Sequence, residues 1–371
     1  MKCETFRFDE VTINFDRKRI PLSAKQRSER QGNYRYYGAQ GVIDYVNDYI
    51  FDGTYLLIAE DGENLKSKKQ NIAQVAKGKF WVNNHAHIVQ TNELCDLQYL
   101  HYLINSMDLS GYITGSAQPK LSQANLNAVT LQLPFIDEQK KIVAILGSLD
   151  DKIELNNKIN DNLQQQAAAL FANFYDQAET EVGFTEMIQI LGGGTPKTGE
   201  SSYWNGDIPF FTPKDVGFPY TLTTEKTITE EGLAHCNSRL YPINTVFVTA
   251  RGTVGKVGLP GVPMAMNQSC YALVGKDTHQ LLVYFYTLKA VDRLKHKASG
   301  AVFDAITTRD FEAENIMKLS DDDTKAFLDV AEPIYQAVLN NSIENLRLSE
   351  LRDSLLPKLM NGEIDVTDIR L

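Results

Sequence analysis

The chain has 371 residues, 43% of them hydrophobic, with four cysteines and a formal net charge of −10. That length suffices for two domains that each bury a core, and no apolar run nears the roughly 18 residues of a membrane span. No charged-then-apolar leader follows Met1, so a soluble, unprocessed chain is expected, and Cys3, Cys95, Cys236 and Cys270 lack CxxC spacing and read as reduced thiols rather than a disulfide frame or a zinc site.

The acidity is local. Net charge is +1 over residues 1–135, −4 over 136–180, −1 over 181–318 and −6 over 319–371. Two balanced segments alternate with two acidic ones, which leaves room for a basic face on each balanced segment.

In chain order, the first balanced segment opens with basic residues Arg17, Lys18, Arg19, Lys25, Arg27, Arg30 and Arg35, followed by a predicted strand at Tyr55–Ala59. A second basic group, Lys66, Lys68, Lys69, Lys77 and Lys79, precedes a predicted strand at Ala86–Gln90. His85 and His87 flank Ala86, and strand alternation would put both imidazoles on one face, where they could hold a metal; no third ligand stands nearby, so a metal site is not expected. Leu97, Tyr99, Leu100 and Leu103 mark a short amphipathic helix, and a loop with Gly115 leads to a long helix starting near Asp137. The second balanced segment has Gly192–Gly194, read as a flexible loop rather than a dinucleotide-binding turn because the spacing is not GxGxxG. Predicted strands follow at Val246–Ala250 and Cys270–Val274, then a helix with Leu282, Tyr284, Phe285 and Leu288, a loop with Gly300, and a long helix from near Asp322.

These elements repeat with a shift of about 185 residues. Gly115 falls on Gly300, Leu121 on Ile306, and the face Leu97, Tyr99, Leu100, Leu103 on Leu282, Tyr284, Phe285, Leu288. A shift this long marks a duplicated domain, since solenoid periods are roughly 20 to 50 residues. The long helices repeat too. Ile142, Leu146, Leu149, Ile153, Asn156, Asn160, Leu163, Ala167, Leu170 and Phe174 match Phe327, Ala331, Ile334, Val338, Asn341, Asn345, Leu348, Arg352, Leu355 and Leu359. Steps of four and three describe a coiled-coil seam. A buried Asn facing Leu loses its hydrogen bonds and one facing Asn keeps them, so the asparagines at matching depth predict that the two helices pair. If the chain folds back between them, the pair is antiparallel. Each helix is expected to run 35 to 40 residues, roughly 50 to 60 Å.

The chemistry is that of a reader. No GxxxxGK[ST] loop is present, and no Asn- or Asp-Pro-Pro-aromatic motif that would hold a flipped adenine, so nucleotide hydrolysis and methyl transfer are not expected in this chain. The second segment adds Lys197, Lys214, Arg251, Lys256, Arg293, Lys295, His296 and Lys297 as candidate DNA contacts. Phosphate contacts supply affinity, and Arg, Asn or Gln at base edges supplies sequence choice.

GGTPK, YWNGDIPFFTPKDV, TARGTVGKVG and MNQSC resemble the target-recognition domain of specificity subunits of type I restriction-modification systems. GNYRYYGAQGVIDYV, FDGTYLLIAEDG and WVNNHAHIV resemble it in the first half, although Lys18, Arg19, Ile20 and Pro21 stand where the GGTP loop would be. LPFIDEQKKIVAILGSLDDKIELNNKI resembles the family's central conserved helix and LRDSLLPKLMNGEI its C-terminal one.

The resemblance implies an α+β fold: recognition domains at 1–134 and 179–318, separated by conserved helices at 135–178 and 319–371 that pair as an antiparallel coiled coil. It implies a non-catalytic subunit that binds double-stranded DNA, each domain reading half of a bipartite site. Two methylation subunits dock on it and methylate adenine N6 with S-adenosylmethionine, and restriction subunits that consume ATP with Mg join them. No cofactor and no metal is expected in this chain, nor any membrane partner, and its place is the cytoplasm. The expected DNA contacts are Lys18, Arg19, Lys25, Arg27, Arg35, Lys66, Lys68, Lys69, Lys197, Lys214, Arg251, Lys256, Lys295 and Lys297; the register asparagines are Asn156, Asn160, Asn341 and Asn345. Two alternatives stay open: a methylation-only or regulatory assembly without restriction activity, and a structural dimeriser with two ligand-binding domains, which would confer no sequence preference.

Overall fold

Alternation of period two in the balanced segments and of three to four in the acidic ones dictates sheets joined by long helices. In the computed structural model the described residues are 2–67, 70–115, 118–217, 219–297 and 305–369. Two units form: Met1–Asp151 with Ser349–Leu371, and Lys152–Leu348. Each unit takes part of both long helices.

The first unit has strands β1 (Cys3–Arg7), β2 (Thr12–Asn14), β3 (Gln31–Gly38), β4 (Gly41–Val46), β5 (Phe51–Ala59), β6 (Ala73–Val82), β7 (Ala86–Thr91) and β8 (Thr130–Pro134). Six of them form a sheet in the order β2-β7-β5-β6-β3-β4, and β1 pairs with β8 alone. Side chains alternate across β5. Leu56 and Ile58 pack on the helix Leu97–Ser106 through Tyr99, Leu100 and Leu103, while Leu57 joins Phe51, Phe80, Val82 and Ile88 on the other side. Gly53 faces Gly78 across β5 and β6, with φ of 133° and 80°. Side-chain-bearing residues resist that backbone, so the facing glycines let both strands bend together and carry the end of β6 to a parallel pairing with β3. Asp96 caps the helix by accepting from the amides of Gln98 and Tyr99.

The second unit has β9 (Thr180–Gly183), β10 (Ile188–Gly192), β11 (Trp204–Phe211), β12 (Tyr220–Thr221), β13 (Thr227–Ile228), β14 (Val246–Thr249), β15 (Val257–Pro260), β16 (Ala265–Met266), β17 (Cys270–Gly275) and β18 (Asn315–Lys318). Its main sheet runs β10-β17-β14-β15-β12, repeating the β2-β7-β5-β6 order of the first unit, and β9 pairs with β18 as β1 does with β8. Where the first unit has one bent strand, the second has two: β15 beside β14, then β16 parallel to β11. Pro263 lies between them and has no N–H to give a ladder.

The central helix, Ile136–Gln177, has 42 residues, and the C-terminal helix, Asp321–Met360, has 40. Each starts where carboxylates meet the positive end of the helix dipole: Asp137 and Glu138 in one, Asp321 to Asp323 in the other. Ser320 Oγ also accepts from the Asp323 amide, and Glu138 Oε2 from that of Phe135. The C-terminal helix ends at Met360, and Gly362, with φ of 77°, reverses the chain just beyond it.

Within the second unit the helices pair antiparallel through amides. Asn156 Nδ2 donates to Asn345 Oδ1 at 2.9 Å and to Glu344 Oε2 at 2.7 Å, and Asn341 Nδ2 donates to Asn160 Oδ1 at 2.8 Å. Asn160 Nδ2 also reaches the Val338 carbonyl, and Asn345 Nδ2 reaches Asn157 Oδ1. Asn156 and Asn160 are buried. In the first unit Arg352, at a seam position, meets Asp150 Oδ1 at 2.8 Å, and Asp150 Oδ2 accepts from Tyr102 OH at 2.6 Å. The heptad reading omitted Phe171, Tyr175 and Tyr335, all buried. They pack against the helix Gln280–Lys297, off the heptad positions; Phe171 stacks on Phe285 at 4.9 Å and also meets Phe327 of the partner helix edge-on, and Tyr335 meets Tyr284 edge-on.

Candidate nucleic-acid interface

Four loops of the second unit converge, each tied to another. The turn after β14 is held when the amides of Ala250 and Arg251 donate to the Ser269 carbonyl. Its Thr253 Oγ1 reaches the Pro213 carbonyl at 3.1 Å in the loop after β11. That loop is closed by Asp215, whose Oδ2 accepts from the Thr212 amide and hydroxyl. The Asn267 amide donates to Phe211 O, and Asn267 Oδ1 accepts from the Ser269 amide, fixing the turn before β17. Thr195 Oγ1 bonds Gln268 Oε1, bringing in the loop after β10. Lys197, Lys214 and Arg251 are exposed on these loops. The flexible loop expected at Gly192–Gly194 is instead packed: Gly192 pairs with Tyr271 in the sheet, a Cβ on Gly193 would meet Asn267 O at 2.1 Å, and one on Gly194 would meet the Asn237 amide nitrogen at 2.6 Å. These glycines serve close backbone approach.

The first unit builds the same frame. Asn83 donates its amide to Tyr37 O, and its Oδ1 accepts from the His85 amide, as Asn267 does with Phe211 and Ser269. The Glu60 amide donates to His85 O, and the Leu121 amide to Glu60 O; Ala250 and Ile306 make the matching bonds. Asp61 bridges Lys120 where Arg251 bridges Ala305. Gly62 and Gly252 follow, both with positive φ.

The charges on this frame differ. In the first unit His87, 1% exposed, contacts Asp16 Oδ2 at 2.6 Å through Nδ1 and the Leu121 carbonyl at 2.8 Å through Nε2. Asp16 Oδ1 accepts from the Ile88 amide. Arg19 bonds Glu60 Oε2 at 2.8 Å and the Ala86 carbonyl, and Lys120 also meets Glu60. Burial works to raise the Asp16 carboxyl, but the hydrogen bond and charge of His87, the Ile88 amide and Arg19 outweigh it and hold it below the ordinary value. Glu60 is likewise lowered, with burial opposed by Arg19, His87 and Lys120. His85 precedes β7 and turns outward to Asp61 at 2.7 Å, so the two histidines do not share a face.

The family model for the type I restriction modification DNA specificity domain matches residues 2–165 and 180–318. The chain belongs to this family. The type I restriction enzyme HindI specificity subunit of Haemophilus influenzae is 25% identical over 413 residues, covering 88% of this chain and 87% of the relative. A putative specificity subunit from the same organism, S.HindORF215P, is 36% identical over 141 residues, 38% of this chain and 36% of that one. The fold is similar to that of the type I restriction-modification system S subunit from M. genitalium, with a TM-score of 0.59 and 14% identity over 97% of this chain and 96% of that one.

As a specificity subunit the chain recognises DNA, and its basic residues divide into those held by carboxylates and those on open surface. Three expected contacts are engaged internally. Arg19 is tied to Glu60 and Asp16, Arg27 to Asp44 at 2.8 Å, and Lys297 to the buried Glu314, which also holds Arg293. Arg19 and Lys297 neutralise acids that burial would otherwise strand, and Arg27 pairs with the half-buried Asp44, which a list of basic residues does not reveal. Arg17, Lys18, Lys25, Arg30 and Arg35 are exposed, with Lys18 lying over the Phe15 ring. Lys66 is exposed and reaches the Gly115 carbonyl; Lys68, Lys69 and Gly300 lie outside the described residues. Lys77 and His296 are exposed, as is Lys79, which covers the Tyr49 ring. Lys256 and Lys295 border a cleft of about 710 Å³ with Phe171, Tyr284 and Tyr335. Burial pushes the Cys95 and Cys270 thiols up to about 12. Among the described residues no helix is long and apolar enough to cross a membrane.

Basic-residue counting passed over Gln40, Asp61, Asn84 and Gln268, which stand on the loops of the frame. The signal was present: residues 59–66 align with 249–256, Gly62 on Gly252 and Lys66 on Lys256, but at a shift of 190 rather than 185.

Proposed function

We propose that each unit reads one half of a bipartite DNA site, at the loops around residues 38–41, 60–66 and 83–85 in one and 212–215, 250–256 and 267–269 in the other. The observation that carries this reading is the frame built twice in one chain, with the same main-chain bonds and different side chains. Such a frame holds side chains at fixed positions, and major-groove readout needs donors and acceptors fixed to well under a hydrogen-bond length. The paired helices would set the unread spacer and, being acidic, offer protein rather than phosphate a docking surface. On this reading two methylation subunits dock there, methylation of adenine N6 uses S-adenosylmethionine on those partners, and restriction subunits bring ATP and Mg. The assembly would work in the cytoplasm.

Exchanging residues 1–134 for the matching domain of another family member tests it. Mapping methyladenine in cells that also carry the methylation partner should show one half of the motif changed and the other kept. A change in both halves overturns independent reading. The spacer has its own test: four residues inserted after Ile153 and four after Leu348 add about 6 Å at 1.5 Å per residue and rotate the frame by about 40°. At 3.4 Å per base pair the unread spacer should lengthen by about two pairs with both half-sites kept. Recovery of the original spacer would reduce the helices to connectors.

A further inference from the structure

Asp61 and Arg251 occupy one position in the duplicated frame. Each precedes a glycine of positive φ, Gly62 and Gly252. Each follows a residue held by the same two main-chain bonds: Glu60 between the His85 carbonyl and the Leu121 amide, Ala250 between the Ser269 carbonyl and the Ile306 amide. Each forms an isolated bridge with the residue just before that amide, Lys120 or Ala305. The backbone is therefore common, and the side chain is an acceptor in one unit and a donor in the other.

Resting on the reading of both units as half-site readers, we infer that residues 61 and 251 are the same base-reading position, used with opposite hydrogen-bond chemistry. Arg251 is exposed and makes no ion pair among the described residues, so its fork is free to take a guanine through O6 and N7. Asp61 cannot serve as a phosphate contact, because like charge repels it. On a DNA face an acceptor-only side chain has favourable partners only in exocyclic amines, and cytosine N4 is the one that carboxylates take. His85 Nδ1 holds Asp61 Oδ2 at 2.7 Å, which fixes the carboxylate and leaves Oδ1 without a partner among the described residues. The duplicated position would thus specify a G·C pair in both halves, read from the guanine side by the second unit and from the cytosine side by the first.

The test uses Arg251→Gln and Asp61→Asn, which remove the charge and keep a planar polar end, in the full chain with its methylation partner, with methyladenine mapping and binding to duplexes carrying single substitutions. Arg251→Gln should lose preference at one G·C pair of one half-site by roughly 10- to 100-fold and leave the other half unchanged. Asp61→Asn should do the same at one G·C pair of the other half. Uniform weakening on all sequences with a smaller salt slope in Arg251→Gln would make that residue a phosphate contact and overturn the proposal. So would unchanged motifs in both variants, or a change in the same half from both. A wild-type chain without any bipartite preference would instead remove the half-site reading itself. Arg251→Lys separates fork from charge: preference should fall while the salt slope stays.

Discussion

Glu60 and Ala250 make matching main-chain bonds, yet the first turn carries Glu60 and Asp61 where the second carries Ala250 and Arg251. In the first unit Glu60 is neutralised from behind by Arg19, His87 and Lys120, an arrangement that consumes Arg19 as structure. In the second unit the buried acid is Glu314, held by Arg293 and Lys297 of the helix Gln280–Lys297, while Lys197, Lys214 and Arg251 remain on open loops. After duplication the backbone frame could be kept because its bonds are main-chain bonds, whereas side chains at its rim were free to change sign.

The strongest break of this comparison is removal of a buried acid. Asp16→Ala leaves the buried His87 without its carboxylate and should cost about 3 kcal/mol or more; Glu314→Ala should cost less, about 1–3 kcal/mol, because Arg293 is partly exposed and keeps Tyr175 OH and the Asn315 carbonyl. With denaturation followed by unit-specific probes, Asp16→Ala should move the first unit's transition and Glu314→Ala the second's. Joint movement would mean that the two units fold as one.

Next in size is the amide layer. Asn156→Leu takes one hydrogen bond from the half-buried Asn345 and should cost about 1 kcal/mol, with the loss falling on the second unit, where these bonds lie. Chemical denaturation of the single variant beside Asn156→Leu/Asn345→Leu checks it. The double variant should recover most of the loss, because no amide is then stranded.

Acid should separate the units further. Asp16 and Glu60 are lowered from ordinary values of 3.8 and 4.5, so their stabilisation is complete at neutral pH and disappears as pH falls through those values and below. Melting of the first unit between pH 5 and pH 3 should steepen accordingly, and Glu60→Gln should flatten it. A slope unaffected by that change would mean that Glu60 is not charged in the native state.

The smallest expected effect is on salt dependence. Lys197→Ala and Lys214→Ala should each lower the slope of log K against log salt by about 0.9, if each meets one phosphate. Arg19→Ala should leave the slope alone and lower the stability of the first unit, since its guanidinium is bound to Glu60.

The long helices were legible in the sequence because a heptad is local: every seam position is decided by residues within a turn, and the observed starts lie one residue from the expected Asp137 and Asp322. Phe171 and Tyr335 were missed because their burial is decided by Tyr284 and Phe285, more than a hundred and about fifty residues away along the chain. Strands such as Val246–Thr249, buried throughout, were read from their composition and bounds, but the division of the second unit's counterpart of β6 into β15 and β16 was not, since it follows from a pairing with β11. For the site, sequence marks which residues are basic. It does not mark which basic residues already have an acid, and Arg19 and Glu60 are 41 positions apart.

The amide layer has one more property. Asn156 and Asn341 are counterparts under the repeat, as are Asn160 and Asn345, yet the bonds run from Asn156 to Asn345 and from Asn341 to Asn160. Each of these four asparagines thus meets the counterpart of its neighbour, and interchanging the two helices returns these two bonds. The layer reads as a palindrome, so its register belongs to the repeat and not to either helix. Drift in one copy is corrected only by the same drift in the other, which ties the two halves of the sequence to a shared history at two positions even where their loops diverge.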